Sequence, residues 1–239
     1  MPDHMLDRLL SGFLKPSCLL CQRPAIAAFC LDCTRQLHSC QSTSTCEPLP
    51  AQLRLWSWGH YQGPLKRALH QLKYQTCPQI AEPLGLYLAQ CWQQSVGQPA
   101  ANGSIVVVPI PLHAERLQQR GYNQAALIAQ SFCRLTGLTY LPQGLQRVRT
   151  TVAQHQLGST QRQQNLHSAF RLGTGWSPSR RQRPVLLIDD IYTTGTTIQA
   201  AATELRQGGL QVVGAAVVAR ATLAKTAPKP PAKKKTVLS

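Results

Sequence analysis

Residues 185–197 constrain the fold more than any other segment, because they combine a buried strand, a polar loop and the first turn of a helix. Four apolar residues predict the strand, which places Asp189 and Asp190 at its carboxyl end. Four threonines then surround Gly195, and the apolar periodicity after them predicts a helix that ends at a pair of glycines. Unpaired N–H groups and the dipole of that helix predict an anion-binding site in the loop.

Two carboxylates beside an anion site require an explanation, because they would repel a simple phosphate. A ligand with hydroxyls as well as phosphates provides one, since carboxylates accept hydrogen bonds from vicinal diols. A ribose 5-phosphate that carries a metal-bound diphosphate has both groups, and the segment resembles the phosphoribosyl diphosphate (PRPP) signature of type I phosphoribosyltransferases. The resemblance implies that Asp189 and Asp190 face the ribose hydroxyls, with Mg(II) accompanying the ligand. The residues implied to hold the 5′-phosphate are Thr193, Thr194, Gly195, Thr196 and Thr197.

Four cysteines near the start of the chain form two Cys-x2-Cys pairs, separated by eight residues. This spacing predicts a tetrahedral Zn(II) site with a structural role in a segment too small to build its own core. The predicted ligands are Cys18, Cys21, Cys30 and Cys33. The sequence leaves open whether Cys40 or Cys46 replaces one of them. An odd total of nine cysteines without an export signal favours thiols and metal ligands over disulfides.

The chain is strongly basic, with 25 Lys and Arg against nine Asp and Glu and a formal net charge of +16. Residues 116–188 contain ten arginines and no acid. Solubility alone accounts for a positive total, but an acid-free stretch of this length favours a polyanionic partner such as nucleic acid. Guanidinium groups suit phosphates, and neutral amides suit bases or phosphates. The candidate nucleic-acid- or anion-binding residues are Arg116, Arg120, Asn123, Gln124, Arg147, Arg149, Gln154, Arg162 and Asn165.

Alternating strand and helix patterns predict an α/β fold, with helices on both faces of a parallel sheet. Residues 51–63 are expected to contain an edge strand, and residues 139–170 are expected to form a long mobile loop with a helical piece. A continuous helical region is predicted from residue 114 to about residue 135. Ligands of such sheets bind at the carboxyl ends of the strands, where the acid pair is predicted to lie.

Three parts are predicted along the chain. Residues 1–50 are expected to hold an N-terminal amphipathic helix and the cysteine-rich zinc module, and residues 51–221 the α/β domain. Residues 222–239, rich in Lys, Pro and Ala, are expected to form a disordered basic tail. Without an export signal or an apolar run of about 18 residues, the protein is expected to be soluble and cytoplasmic, with no membrane span.

Four sequence blocks together resemble the ComF family (competence protein F), in which a zinc module precedes a type I phosphoribosyltransferase-like domain. The blocks are the cysteine pairs, residues 108–124, residues 147–170, and residues 187–197 with 219–220. The resemblance implies that the turn at Pro109, Ile110 and Pro111 binds the pyrophosphate. It also implies a role in natural transformation beside the DNA-uptake machinery, with single-stranded DNA as the partner.

Three functions stay open at this level. The first is a ComF-type factor that binds PRPP or a nucleotide phosphate and single-stranded DNA and assists DNA uptake. The second is an active phosphoribosyltransferase that transfers ribose 5-phosphate from PRPP to an unidentified acceptor. The third is a zinc-dependent nucleic-acid adaptor with a vestigial PRPP pocket. The sequence offers no evident general base, so it identifies no catalytic residue, and a shared fold does not decide between the three.

Overall fold

The computed structural model describes residues 16–75, 77–96, 105–148 and 169–221. The predicted N-terminal helix, the predicted basic tail and most of the predicted mobile loop at residues 139–170 therefore lie outside the described residues. No helix in these four ranges is long and apolar enough to cross a membrane.

Strands and helices alternate along the described chain. A short 3-10 turn, Pro78–Ile80, leads into the third helix. The elements, in chain order, are α1 (Leu31–His38), β1 (Cys46–Leu49), β2 (Leu53–His60), α2 (Gly63–Tyr74), α3 (Ala81–Val96), β3 (Val106–Pro109), α4 (Ala114–Arg120), α5 (Gln124–Thr136), β4 (Thr139–Tyr140), β5 (Leu145–Arg147), β6 (Phe170–Leu172), α6 (Pro178–Arg181), β7 (Val185–Tyr192), α7 (Thr196–Gln207) and β8 (Val212–Arg220).

Six strands form one sheet in the order β1-β2-β8-β7-β3-β4. Every neighbouring pair is parallel except β1 with β2. Helices α2, α3 and α5 pack on one face of the sheet, and α7 packs on the other together with the antiparallel hairpin β5–β6. Strand β7 is buried on both faces, which explains why residues 185–188 are continuously apolar. The predicted α/β class, with a mostly parallel sheet flanked by helices, is confirmed.

Three local predictions need correction. The tryptophan-rich strand β2 is not an edge strand, because β1 pairs with its outer side. The predicted helical region from residue 114 is broken at Gly121, which adopts a left-handed conformation (φ 80°) and ends α4. The two ends of the predicted mobile loop contain the short strands β4, β5 and β6, since these pair with β3 or with each other.

The cysteine-rich segment packs against the core that covers one face of the sheet. Cys33 and Leu37 of the first helical segment are buried in the same apolar cluster as Trp58 of β2 and Leu65 of α2. Helix α1 also contacts α2 through a hydrogen bond from Arg67 Nη2 to the side-chain oxygen of Gln36, 3.2 Å long. Changes in the cysteine-rich segment therefore reach the sheet through α2.

Candidate functional site

The acid pair lies near the carboxyl end of β7, between β3 and β8. Pro109, the last residue of β3, is in register with Ile188, and the Ile110 N–H donates to the Ile188 carbonyl over 2.8 Å. The turn predicted to bind pyrophosphate therefore runs directly beside Asp189. The parallel sheet thus brings the turn, the acid pair and the threonine loop to one end of the fold.

Asp190 is engaged by the protein itself. Its Oδ2 lies 2.5 Å from Nζ of Lys73, and the Asp190 side chain is only 5% exposed. The Gln124 amide donates to the other carboxylate oxygen over 3.4 Å. The pairing of Lys73 with Asp190 has no local signal in the sequence, because the two residues lie more than 100 positions apart.

Asp189 is the half-buried member of the pair, and its Oδ1 accepts a hydrogen bond from the Asp190 N–H over 2.8 Å. Burial and the neighbouring charge of Asp190 raise the pKa of Asp189 well above its ordinary value, while Lys73 opposes this effect. Asp189 is therefore the carboxyl group available to a ligand, and its charged form is costly in the free protein.

The segment Arg120–Gln124 joins three elements around this acid pair. Gly121 ends α4, and the Tyr122 hydroxyl donates to the carbonyl of Leu72 in α2 over 2.5 Å. Asn123 caps α5 by accepting from the Ala125 N–H, and its amide donates to the Ile110 carbonyl over 3.0 Å. These contacts fix the proline-rich turn at residues 109–111 relative to α2 and α5.

The two ends of that segment form a chain of contacts that leads to the acids. Arg120 donates to the side-chain oxygen of Gln124, which in turn donates to Asp190. The Arg120 guanidinium also lies over the ring of Tyr74, 5.7 Å from its centroid. In the free protein the predicted anion-binding residues Arg120, Asn123 and Gln124 thus all have protein partners.

The threonine loop has the backbone geometry of an anion site. Gly195 caps α7 in a left-handed conformation (φ 79°), and a Cβ atom there would collide with the Tyr192 ring. A glycine is required at this position, and it supplies no side-chain acceptor to the first turn of α7. The hydroxyls of Thr194 and Thr196 lie 3.1 Å apart. The first N–H groups of the helix, with these hydroxyls, can donate to a phosphate.

A cleft of about 430 Å³ opens beside the threonine loop. It lies at the carboxyl ends of β2, β7 and β8, and Glu47 of β1 forms an ion pair with Arg220 in its wall. Its lining residues are Ser42, Glu47, Ser57, His60, Tyr192, Thr193, Thr194, Arg220 and Ala221. The cleft brings hydroxyl, imidazole, guanidinium and carboxylate groups next to the threonine loop.

Two of the predicted arginines, Arg116 and Arg147, lie near each other, and Arg147 also lies near Asp189. Arg147, at the end of β5, stacks over the ring of Phe170 at 5.4 Å. Burial and the nearby charge of Arg116 lower the pKa of Arg147, whereas the charge of Asp189 raises it. Arg116, Arg147 and Asp189 therefore share one electrostatic environment. The remaining predicted residues of this group, Arg149, Gln154, Arg162 and Asn165, lie outside the described residues.

The four cysteines of the two pairs form a candidate metal centre. Their sulfur atoms all lie within 4.8 Å of one another, and those of Cys21 and Cys30 are 3.6 Å apart. The Arg23 guanidinium donates a hydrogen bond to Cys21 Sγ and thereby lowers the pKa of that thiol to about 6. Within the described ranges, these four cysteines are the one group of three or more His, Cys, Asp or Glu side chains that could hold a metal ion. The group includes neither Cys40 nor Cys46. Four sulfur ligands at these separations suit a tetrahedral thiolate site.

Comparisons with known proteins agree with this arrangement. Residues 89–238 match the family described as "Phosphoribosyl transferase domain". A Salmonella typhi relative, "DNA utilization protein YhgH", is 34% identical over 70% of this chain and 71% of its own length. "Competence protein F" of Haemophilus influenzae is 35% identical over 68% of this chain and 71% of its own length. "Competence protein ComFC" of Bacillus subtilis is 28% identical over 80% of this chain and 72% of its own length.

The matches and the geometry lead to one family. The domain match covers more than half of the chain, and it includes β3, β7 and the threonine loop that form the site. Two of the relatives exceed 30% identity over more than two thirds of both chains. The chain therefore belongs to the ComF family and carries a phosphoribosyltransferase-type domain behind a four-cysteine cluster.

Proposed function

We propose that this protein is a ComF-type competence factor that binds PRPP, or a related nucleotide phosphate, with Mg(II) and also binds single-stranded DNA during DNA uptake. The names of its relatives support the link to DNA, since they include competence and DNA-utilization proteins. One observation carries the proposal for the phosphorylated ribose. Asp189 lies between the proline-rich turn and the glycine-capped threonine loop, while Lys73 neutralises Asp190.

This arrangement suits a ligand with phosphates at both ends and hydroxyls between them. The threonine loop would hold the 5′-phosphate, and the turn at residues 109–111 would lie beside the pyrophosphate. Asp189 would accept hydrogen bonds from the ribose hydroxyls. Arg116 and Arg147 add positive charge next to that carboxylate and offset its repulsion of the phosphates. Mg(II) would bind between carboxylate, phosphate and water oxygens.

Asp189→Asn is expected to weaken PRPP binding in the presence of Mg(II) by roughly 10- to 150-fold, because a hydrogen bond to a charged acceptor contributes about 1.5–3 kcal/mol. The same substitution should raise the free energy of unfolding by about 1 kcal/mol at neutral pH, the size that single stabilising substitutions commonly have. The reason is that the raised pKa of Asp189 makes its charged form unfavourable in the folded state. This gain should shrink as the pH falls through the raised pKa and should vanish below about 4, where the carboxyl group is protonated in the folded and the unfolded state alike.

Calorimetric titration with PRPP and Mg(II) measures the first effect, and denaturant unfolding at several pH values measures the second. Asp32→Asn is the matched control, since Asp32 is an exposed acid of the cysteine-rich segment. Equal binding heats for the wild type and Asp189→Asn would show that this carboxylate does not contact the ligand.

The single-stranded DNA part of the proposal rests on the sequence of residues 116–188, which holds ten arginines and no acid, and on the position of one of these arginines, Arg147, near Asp189. A triple variant, Arg147→Gln with Arg149→Gln and Arg162→Gln, is expected to reduce the salt dependence of DNA binding. Each phosphate neutralised on a single strand contributes roughly 0.7 to the slope of log K against log salt, so the slope should fall by about 2. Fluorescence anisotropy of a labelled oligonucleotide at several salt concentrations measures this slope.

The control for this measurement is Arg134→Gln. Arg134 is already paired with Glu82, so its replacement should leave the slope nearly unchanged. A triple variant with the wild-type slope would place the DNA elsewhere on the protein. Absence of binding at low salt would contradict the DNA part of the proposal for the isolated protein.

The cleft beside the threonine loop favours a second candidate function, that of an active phosphoribosyltransferase. The cleft can admit an acceptor substrate next to the bound ribose. Its ion pair offers that substrate a hydrogen-bond acceptor, Glu47, and a hydrogen-bond donor, Arg220. Incubation with PRPP, Mg(II) and a panel of nucleobases and amines tests this function. Release of pyrophosphate that depends on one acceptor would support the enzyme. A protein that binds DNA but not PRPP would instead match the adaptor with a vestigial pocket.

A further inference from the structure

The outer face of α2 presents three exposed side chains in one stripe. Lys66, His70 and Tyr74 are spaced by four residues, so they lie above one another on the helix surface. The opposite face of the same helix buries Leu65, Ala68, Leu69 and Leu72 against the core. The stripe is thus exposed on the side of the helix that faces away from the core.

Tyr74 is the unusual member of this stripe. Tyr74 is 69% exposed. Among the large apolar residues that are exposed in the described ranges, it is the single aromatic residue. The His70 ring lies 4.9 Å from the Tyr74 ring, measured between centroids. The Arg120 guanidinium lies over the ring at 5.7 Å. The two rings are tilted by 44° to each other, and with the guanidinium they form a cationic aromatic surface, which we call the Tyr74 platform.

The Tyr74 platform adjoins the phosphate site through direct contacts. Lys73, the residue before Tyr74, is paired with Asp190. The Arg120 side chain donates a hydrogen bond to Gln124, and the Gln124 side chain donates one to Asp190. A nucleic-acid strand lying on the platform would therefore pass close to the acid pair, because Lys73 contacts Asp190 directly and Arg120 contacts it through Gln124.

The charge around the platform is positive. Residues 48–81 contain no Asp or Glu, and Lys66 and Arg67 are exposed on α2. The one lysine of this helix that is neutralised is Lys73, through Asp190. Exposed basic side chains beside an exposed aromatic ring match the combination that binds single strands without sequence preference, in which basic groups contact phosphates and aromatic rings stack on bases.

We propose that Tyr74, supported by His70 and Arg120, is a base-stacking platform for single-stranded nucleic acid. The inference rests on the proposed function, since it names the residue that contacts the bases of the proposed DNA partner. Stacking accepts every base, because each has a π-face. The platform therefore contributes affinity without sequence readout, and the arginines near Asp189 contribute the phosphate contacts.

Tyr74→Leu is expected to weaken binding of a single-stranded oligothymidylate about tenfold, since one stacked base contributes about 1–3 kcal/mol. Tyr74→Phe, which keeps the ring, should bind like the wild type. The slope of log K against log salt should be the same in all three proteins, because no phosphate contact is removed. On an oligonucleotide of abasic sites, the wild type and Tyr74→Leu should bind equally.

Tyr74→Trp provides an independent measurement, because a tryptophan that stacks on a base loses fluorescence. Its added emission should be quenched on binding oligothymidylate and should stay unchanged on the abasic strand. Equal affinity of Tyr74→Leu and the wild type for oligothymidylate would overturn the inference and leave DNA binding intact. A loss of the same size on the abasic strand would also overturn it. Failure of the wild type to bind any strand at low salt would instead overturn the proposed DNA function, and the platform with it.

Discussion

Removing the metal from the four-cysteine centre is expected to unfold the N-terminal segment and to lower the midpoint of thermal unfolding by about 10 °C or more. Structural zinc sites contribute about 10–16 kcal/mol of apparent binding free energy in isolated peptides. Loss of only about 3 kcal/mol already corresponds to roughly 10 °C in a chain of this size. The effect should extend beyond the cysteines, because Cys33 and Leu37 share a core with Trp58 of β2.

The measurement compares the untreated protein, the chelated protein and Cys33→Ser by metal analysis and calorimetry. The untreated protein should hold about one Zn(II) per chain, as expected for a closed four-ligand site. Cys77→Ser is the matched control, since Cys77 is half-buried and lies outside the cluster. It should keep both the metal and the unfolding midpoint. A metal-free protein with an unchanged midpoint would contradict a structural role for the cluster.

The parts of the fold that follow from local pattern were predictable. The buried strand before Asp189 and the helix after Gly195 follow from apolar spacing and from the need for a left-handed residue at the cap. The cysteine spacing predicted four sulfur atoms that the structure places together. Each of these features is encoded within about 20 residues of sequence, so local preferences suffice to find it.

The parts that depend on distant partners were not predictable. Strand β1 contains Pro48 and lies among polar residues, so its pairing with β2 had no local signal. The amides of Asn123 and Gln124 were interpreted as ligand donors, because a side-chain amide serves a ligand or the protein equally well. In the structure they bond Ile110 and Asp190, and only the fold brings those partners close.

The pairing of Lys73 with Asp190 has the same origin and changes the interpretation of the site. The sequence analysis treated the two acids as equivalent contacts for ribose. Lys73 and Gln124 engage Asp190, whereas Asp189 lies beside the turn and the arginines. Two adjacent residues of one strand point to opposite faces, so different environments for them are expected once the strand extends past both.

Lys73→Met is expected to destabilise the protein by about 3–5 kcal/mol, because it leaves the carboxylate of Asp190 buried without its cation. The side chain of Asp190 is only 5% exposed, and Gln124 alone cannot offset a full charge there. Adding Asp190→Asn to this variant removes the charge and keeps the size and the Gln124 contact. The double variant should therefore be more stable than Lys73→Met alone, although it carries one more substitution.

Lys66→Met is the matched control for that comparison, since Lys66 is exposed on the same helix and its loss should change stability by no more than about 0.5 kcal/mol. Urea unfolding of the wild type, Lys73→Met, Asp190→Asn and the double variant gives the coupling free energy between Lys73 and Asp190. A large positive coupling would show that the pair holds α2 onto the acid end of β7. It would also explain why the sequence tolerates two adjacent acids here, because Lys73 would neutralise one of them. If Lys73→Met is as stable as Lys66→Met, the cation does not stabilise Asp190, and both acids are then equally free to meet a ligand.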